Sequence, residues 1–274
     1  MNKYADLHIH THFSDSTLSP REVIEEAQKQ NLSCISITDH DAIDGIRPAQ
    51  DIGRDCDVEV VAGIEISCEE GGKDIHMLGY FFDTENERLL ETLKKMRQTR
   101  VERIKKFVDN LKAAGIKNIE AEEVFALNPL HSIGRVHLAT VLKQKKIVAS
   151  IPQAFEKYLG EDSPYHVPKF KITAQDAISL ISQAGGAAVV AHPMMTGKDE
   201  LIPGFVQAGL KGIEVYYPNC SQATIQHYED MARQYNLAMT GGSDGHGKAK
   251  TNTYIGKMRI PYDLVLKLKD AASH

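Results

Sequence analysis

Short runs of Val, Ile and other apolar residues alternate along the chain with stretches in which apolar positions recur every three or four residues. "KYADLHIH", "SCISITDHD", "VEVVAGIEIS" and "DIHMLGYFF" come first, and "AAVVAHP", "KGIEVYY" and "LAMTGGSD" come after a long interval. Each reads as a strand. Amphipathic segments such as "SPREVIEEAQKQ", "TAQDAISLISQAG" and "SQATIQHYEDMARQYN" lie between them and read as helices. The first opens on Ser19, Pro20 and Glu22, which supply an N-cap, a proline in the first turn and a capping-box glutamate. Near-continuous apolar strands alternating with helices indicate a mainly parallel sheet. Roughly seven or eight such strands predict a closed or slightly distorted barrel.

The alternation stops between Glu85 and His166, where the pattern is helical with no clear strand. "ENERLLETLKKMRQTRVERIKKFVDNLKAAG" reads as one long helix or two, ending at Gly115, and shorter helices follow. The expected organisation is an α/β barrel built from residues 1–98 and 167–274. Residues 99–166 form a helical insertion expected to cover the barrel mouth.

Composition narrows the function classes. The chain has 274 residues, a formal charge of −5, 42% apolar and 25% charged residues, as in ordinary soluble domains. That charge argues against bulk capture of duplex DNA but leaves room for a local phosphate pocket. No apolar run is long enough to cross a bilayer, and the N-terminus lacks a signal-peptide pattern. Cys34, Cys56, Cys68 and Cys220 are scattered, which points to reduced thiols in a cytoplasmic protein and not to a thiolate zinc site.

The chemistry lies on the strands and at their ends. His8 and His10 are two apart in "DLHIHTHFSD" and face the same way if the segment is extended. His40 follows "ISIT", Glu65 lies in "AGIEIS", His76 in "DIHMLGY", His192 ends "VVAHP", and Asp244 and His246 follow "MTGG". The C-terminal strand ends of a parallel β/α barrel meet on one face. So many unpaired polar groups would cost several kcal/mol to bury without a compensating cation. Imidazole with carboxylate suits Zn, Mn or Fe, and more than four ligands imply more than one ion, with Glu65 as the bridge.

This set, in the order "DLHIHTHFSD", "ITDHD", "GIEIS", "DIHMLGY", "VVAHP" and "GGSDGHG", resembles the PHP family of metal-dependent phosphoesterases over nearly the whole chain. The resemblance implies a distorted (β/α)7 TIM-like barrel and two or three divalent ions. One ion would be held by His8, His10, Glu65 and Asp244, a second by Glu65, His76 and His192, and a third by Asp15, His40 and His246. His12 matches no ligand position and is expected at the rim or as a group that supports a ligand from outside. With its insertion the chain looks most like the TrpH/YciV-related subgroup, which implies hydrolysis of nucleoside 3′,5′-bisphosphates and of short RNA from the 5′ end.

The expected reaction is in-line attack on phosphorus by a hydroxide shared between ions. His192, His246 and Asp244 are the catalytic candidates. For the substrate, Arg135 in "HSIGRVHLA" suits a bidentate phosphate grip, and Ser132 and His131 lie close by in sequence. Lys169, Lys171, Tyr216, Tyr217 and Asn219 are further candidates. The basic run "KKMRQTRVERIKK" reads as a solvated helix face. The expected partner is a small phosphorylated molecule, a nucleotide or short RNA, with no duplex DNA, no membrane and no obligatory protein partner. Histidinol-phosphate phosphatase, an amidohydrolase-type hydrolase and a non-catalytic PHP module are the competing readings.

Overall fold

The computed structural model describes residues 3–128, 133–168, 172–249 and 254–273. Its strands are β1 (Tyr4–Ile9), β2 (Cys34–Ile37), β3 (Glu59–Glu70), β4 (Lys73–Tyr80), β5 (Ile172–Thr173), β6 (Ala187–Val190), β7 (Gly212–Tyr216), β8 (Ala238–Gly241) and β9 (Ile260–Pro261). They form one sheet in the order β8-β7-β6-β4-β3-β2-β1-β9, with β5 beside β3. Beyond β8 the chain returns to β1: Ile9 bridges Gly245, and the His10 N–H donates to the Gly245 carbonyl at 3.0 Å. The sheet therefore curls into a nearly closed barrel, as the alternating pattern predicts, in the distorted TIM-like form that the family resemblance implies.

Helices Pro20–Lys29, Ile46–Asp55, Ala174–Gln183 and Gln222–Gln234 alternate with the strands. The predicted capping box forms: Glu22 N–H donates to Ser19 Oγ at 3.3 Å, and the Glu22 carboxylate accepts from Ser19 N–H at 2.7 Å. Helix Tyr262–Ala272 packs on β1, β6 and β8, adding Val265 and Leu268 to a core of Ala5, Leu7, Leu78, Tyr80 and Val189. Burying a side chain of the Leu or Val class stabilises by about 1.5–3 kcal/mol. None of the four cysteines is in a disulfide. No helix among the described residues is long and apolar enough to cross a membrane.

Two strands depart from the parallel expectation: the short β9 runs antiparallel to β1, and β4 is the larger exception. β4 is antiparallel to both β3 and β6. Glu70 pairs with Lys73, so only Gly71 and Gly72 turn the chain, both with positive φ (55° and 75°). A two-residue turn of this kind closes a hairpin and leaves no room for a parallel crossover.

The chain divides into two compact units, Met1–Glu91 with Lys171–His274, and Thr92–Phe170. The first boundary falls inside a single helix, Glu87–Ala113, where one helix or two were expected. The second unit adds helices Ala121–Leu127, Arg135–Gln144 and Ile151–Ala154 and a π-helical turn, Phe155–Leu159. Its own core contains Phe107, Leu111, Val124, Leu138, Leu142 and Leu159. In that unit Arg97, Arg100 and Arg103 are half-buried, so the arginines of the basic run are not a solvated face. The Arg103 Nε–H donates to the Val167 carbonyl at 2.7 Å, and its guanidinium lies over the Phe107 ring.

Candidate metal centre

Alternation along β1 puts Asp6 and His8 on the face opposite Ala5, Leu7 and Ile9, and the chain continues extended so that His10 joins them. Asp15 lies in the following loop and His40 just after β2, where it bridges to Glu65. Glu65 sits in the middle of the 12-residue strand β3 and His76 in the first half of β4, so neither closes its strand. The hairpin register explains how they still meet. Glu65 opposes Leu78, and His76 opposes Ser67, which makes Glu65 and His76 same-face diagonal neighbours. His192 follows β6, and Asp244 and His246 follow β8.

All nine expected ligands come together around the Glu65 carboxylate, itself only 1% exposed. Its Oε2 faces three imidazole nitrogens: His8 Nε2 at 3.3 Å, His10 Nε2 at 3.2 Å and His40 Nδ1 at 3.1 Å. Its Oε1 faces two more, His76 Nδ1 at 2.7 Å and His192 Nε2 at 3.0 Å. Asp244 Oδ1 lies 3.2 Å from His10 Nε2, and His246 Nε2 lies 3.1 Å from Asp15 Oδ1. His40 Nε2 is 3.9 Å from Asp15 Oδ2.

This donor set fits divalent ions. His8 Nε2, both His10 ring nitrogens, His40 Nδ1, Glu65 Oε2 and His246 Nε2 are buried without a hydrogen-bond partner. Buried polar atoms are rarely left so. Ligand–metal bonds of about 2.0–2.2 Å place neighbouring donors about 3.0–3.5 Å apart, close to the spacings around Glu65 Oε2. Three groupings can each supply such donors: His8–His10–Glu65, His40–Glu65–His76 and His10–Asp15–His40–His246. Without ions, protons take over the charge balance. Burial pushes His10 down, but Asp244 and Glu65 outweigh it and raise its pKa to about 9. Burial likewise pushes Glu65 up, and the surrounding imidazoles, His40, His76 and His8 foremost, hold it well below the usual carboxylate range.

The PHP domain model matches residues 6–259. The chain belongs to the PHP domain family. It is 33% identical to a 5′-3′ exoribonuclease of Haemophilus influenzae over 90% of this chain and 91% of that one. It is 31% identical to a 3′,5′-nucleoside bisphosphate phosphatase of Chromobacterium violaceum, covering 92% of this chain and 90% of that one. A crystal structure of a candidate metal-dependent phosphoesterase from Bifidobacterium adolescentis superposes with a TM-score of 0.88 at 28% identity, covering 97% of this chain and 96% of the other.

The PHP centre opens on a cavity of about 160 Å³ lined by His40, Glu65, His76, His192, Met195, Tyr217 and Asp244. Met195 is 68% exposed at its edge. Tyr217, one of the further substrate candidates, donates its hydroxyl to Asp244 Oδ2 at 2.8 Å, and its ring meets His192 edge-on. Tyr216 donates instead to Glu229 at 2.9 Å. Asn219 is an exposed turn residue, and His12 is exposed against Phe13. Arg135 lies in the second unit, half-buried, with Nη1 donating to the Leu159 carbonyl at 3.0 Å and its guanidinium over Phe155. His131, Ser132, Lys169 and Lys171 lie outside the described residues.

Four buried carboxylates escaped the sequence reading, among them Asp41, which accepts from the Ser67 N–H at 2.7 Å. Glu214 accepts from His8 Nδ1 and from the His192 N–H. Asp39 accepts from Thr11 N–H and Oγ1 and from Ser14 Oγ, fixing the loop that carries Asp15. Asp6 accepts from Ser243, Gly256 and His8, tying β1 to the loop after β8; burial raises its pKa to about 6 against those hydrogen bonds. The signal for Glu214 was present: "KGIEVYY" repeats the Gly-Ile-Glu pattern that marked Glu65 in "AGIEIS".

Proposed function

We propose that this PHP domain hydrolyses phosphate esters of nucleotides, a nucleoside 3′,5′-bisphosphate or short RNA from its 5′ end, at two or three Mn, Zn or Fe ions. The observation that carries the reading is the convergence of five imidazoles on the two oxygens of Glu65 at the floor of an open cavity. The two nucleotide-directed relatives support the substrate class.

Bound divalent ions would supply an activated water at neutral pH and neutralise charge on the phosphoryl oxygens. Glu65 would share its two oxygens between ions. His8, His10 and Asp244 would complete one site, His76 and His192 a second, and Asp15, His40 and His246 a third. The Tyr217 hydroxyl holds Asp244 Oδ2, which leaves Oδ1 turned toward His10. Among the groups expected to move protons, Asp244 and His192 line the cavity and are the candidates for reaching a leaving oxygen. His246 is buried, and its Nδ1 lies 2.8 Å from the Asp244 carbonyl.

Ligand pockets of about 300–1,000 Å³ enclose whole drug-sized molecules. The cavity here, about 160 Å³, matches a phosphoryl group and its ester neighbourhood. The nucleoside would then extend past Met195 and Tyr217. Arg135 is proposed as the anchor for a second phosphate: one N–H is fixed on Leu159, leaving the rest of its five-donor fork. The inserted unit is proposed to act in substrate binding.

The test is phosphate release by metal-stripped protein reloaded with Mn, offered adenosine 3′,5′-bisphosphate, a short 5′-phosphorylated RNA or histidinol phosphate. Release from either of the first two, abolished by chelation and reduced at least about tenfold by Arg135→Ala, is the expected result. Release from histidinol phosphate alone would discard the substrate assignment. Release that survives chelation would discard the metal reading.

A further inference from the structure

β7 carries none of the nine candidate ligands, yet its Glu214 is completely buried among them. Oε1 lies 2.9 Å from His8 Nδ1, and Oε2 accepts the backbone N–H of His192 at 2.7 Å. Both oxygens are therefore engaged, each with a residue assigned to a different ion. We propose that Glu214 is a positioning residue for two ion sites at once, fixing His8 in the tautomer that turns Nε2 to the first ion and holding the His192 backbone so that its ring reaches the second.

The two contacts constrain different things. A neutral imidazole has one N–H and one lone pair, and the partner of the first decides where the second points. With Nδ1–H donated to Glu214, the His8 lone pair lies on Nε2. That atom is buried without a hydrogen-bond partner, 3.3 Å from Glu65 Oε2 and 3.7 Å from Asp244 Oδ1. At His192 the carboxylate grips the backbone. His192 has φ 29° and ψ 57°, a left-handed conformation that residues with a side chain rarely hold unless their surroundings impose it. Sheet register places the clamp: Val190 pairs with Ile213, so Glu214 comes next on β7 as the chain leaves β6 toward His192. The Glu214 carboxylate also reaches His8 on β1, with β8 lying between β7 and the closing edge of the barrel.

Packing alone would not call for a carboxylate here. A glutamine has the same shape, and its carbonyl oxygen would satisfy the His192 N–H. Its amide N–H₂ would then face His8 and favour the Nε2–H tautomer, which cannot ligate through Nε2. Glu214→Gln therefore separates the two roles. Outer partners of this kind typically contribute 10–100-fold in ion affinity.

The inference rests on the proposal that His8 and His192 hold ions. The experiment is zinc affinity by competition titration for wild type, E214Q, E214D and H10A, with histidine ¹⁵N–¹H spectra of the zinc-loaded proteins. E214Q is expected to keep its metal-free helix content and to bind zinc about 10–100-fold more weakly, without the wild-type His8 Nδ1–H signal. E214D keeps the charge but is one methylene too short to span both partners, so it is expected to fall between the two. Wild-type affinity in E214Q, or a zinc-loaded wild type in which His8 Nδ1 carries no proton, overturns the proposal. The wild-type spectrum alone decides if E214Q fails to fold. H10A distinguishes the levels. If it binds zinc like wild type, the metal centre itself is wrong. If it loses zinc while E214Q does not, only the positioning role falls.

Discussion

Gly242→Ala places one methyl group where the barrel closes on its site. A Cβ at Gly242 would lie 2.4 Å from both His8 Cβ and His8 N and 2.8 Å from His8 Cα. Ordinary carbon contacts begin near 3.5 Å, so the gap must open by about 1 Å. No long side chain can absorb that movement, because the atoms in the way are the backbone and first side-chain carbon of His8. β1 is held by its pairing with β2, and Asp6 ties it to Ser243 and Gly256. Overpacking of this kind costs about 1–3 kcal/mol. At about 2–4 °C per kcal/mol for a chain of this size class, the metal-free melting temperature should fall by about 2–12 °C. Displacing a reacting group by about 1 Å costs on the order of 10²-fold in rate, so kcat/KM with Mn should drop by a similar factor. Gly204→Ala is the control, since its Cβ would meet nothing within 4 Å and its φ is not positive. Differential scanning calorimetry and phosphate-release kinetics on both variants test the reasoning. A Gly242→Ala protein with wild-type melting and wild-type kcat/KM would refute the close approach of the loop after β8 to His8.

Glu65→Gln removes the carboxylate on which five imidazoles converge, and should lower divalent-ion affinity by at least about 10²-fold; unchanged stoichiometry and affinity by calorimetric titration would count against Glu65 as the shared ligand. Ion affinity should also rise with pH between 6 and 9. Metal-free His10 stays protonated up to about pH 9, because Asp244 and Glu65 outweigh burial, and an ion must displace that proton. Each displaced proton contributes about tenfold per pH unit below the pKa, and the gain should level off above it. Competition titrations at several pH values measure the slope, and a flat profile across pH 6 to 8 would contradict the protonated cluster.

The cluster of side chains around Glu65 was legible because imidazoles and carboxylates interrupt apolar strands at a few points. His8 and His10 announce themselves by two-residue spacing, and His40, His192 and Asp244 by standing just past a strand. Glu214, Asp6 and Asp39 were harder to see for the opposite reason. A carboxylate that accepts hydrogen bonds from the backbone or from a ligand looks, in sequence, like any polar residue on a strand. Only its partners reveal it, and they come from distant segments: β7 to β1, the loop after β8 to β1, and the segment after β2 to the loop after β1. The arginines at 97, 100 and 103 were misread because charge spacing on a helix shows which side chains share a face but not whether something packs on it.

The reversal of β4 was also legible and passed over, since Gly71–Gly72 between two β-rich runs is a hairpin signal. It matters for the chemistry. In a strictly parallel barrel each strand offers the site only its C-terminal end, so one strand's ligand meets its neighbour's ligand only at the rim. The antiparallel hairpin lets β3 and β4 run on together past that point, from the Gly63–Tyr80 pair out to Glu70–Lys73. Glu65 can then sit in mid-strand, buried on all sides, and still have His76 diagonally across from it at 2.7 Å. Side chains alternate faces along a strand, so a one-residue slip in this register would turn either Glu65 or His76 out of the cluster. The central position of Glu65 is thus set by the two-residue turn, and an irregular feature of the barrel is what brings His76 to the same carboxylate as His8, His10, His40 and His192.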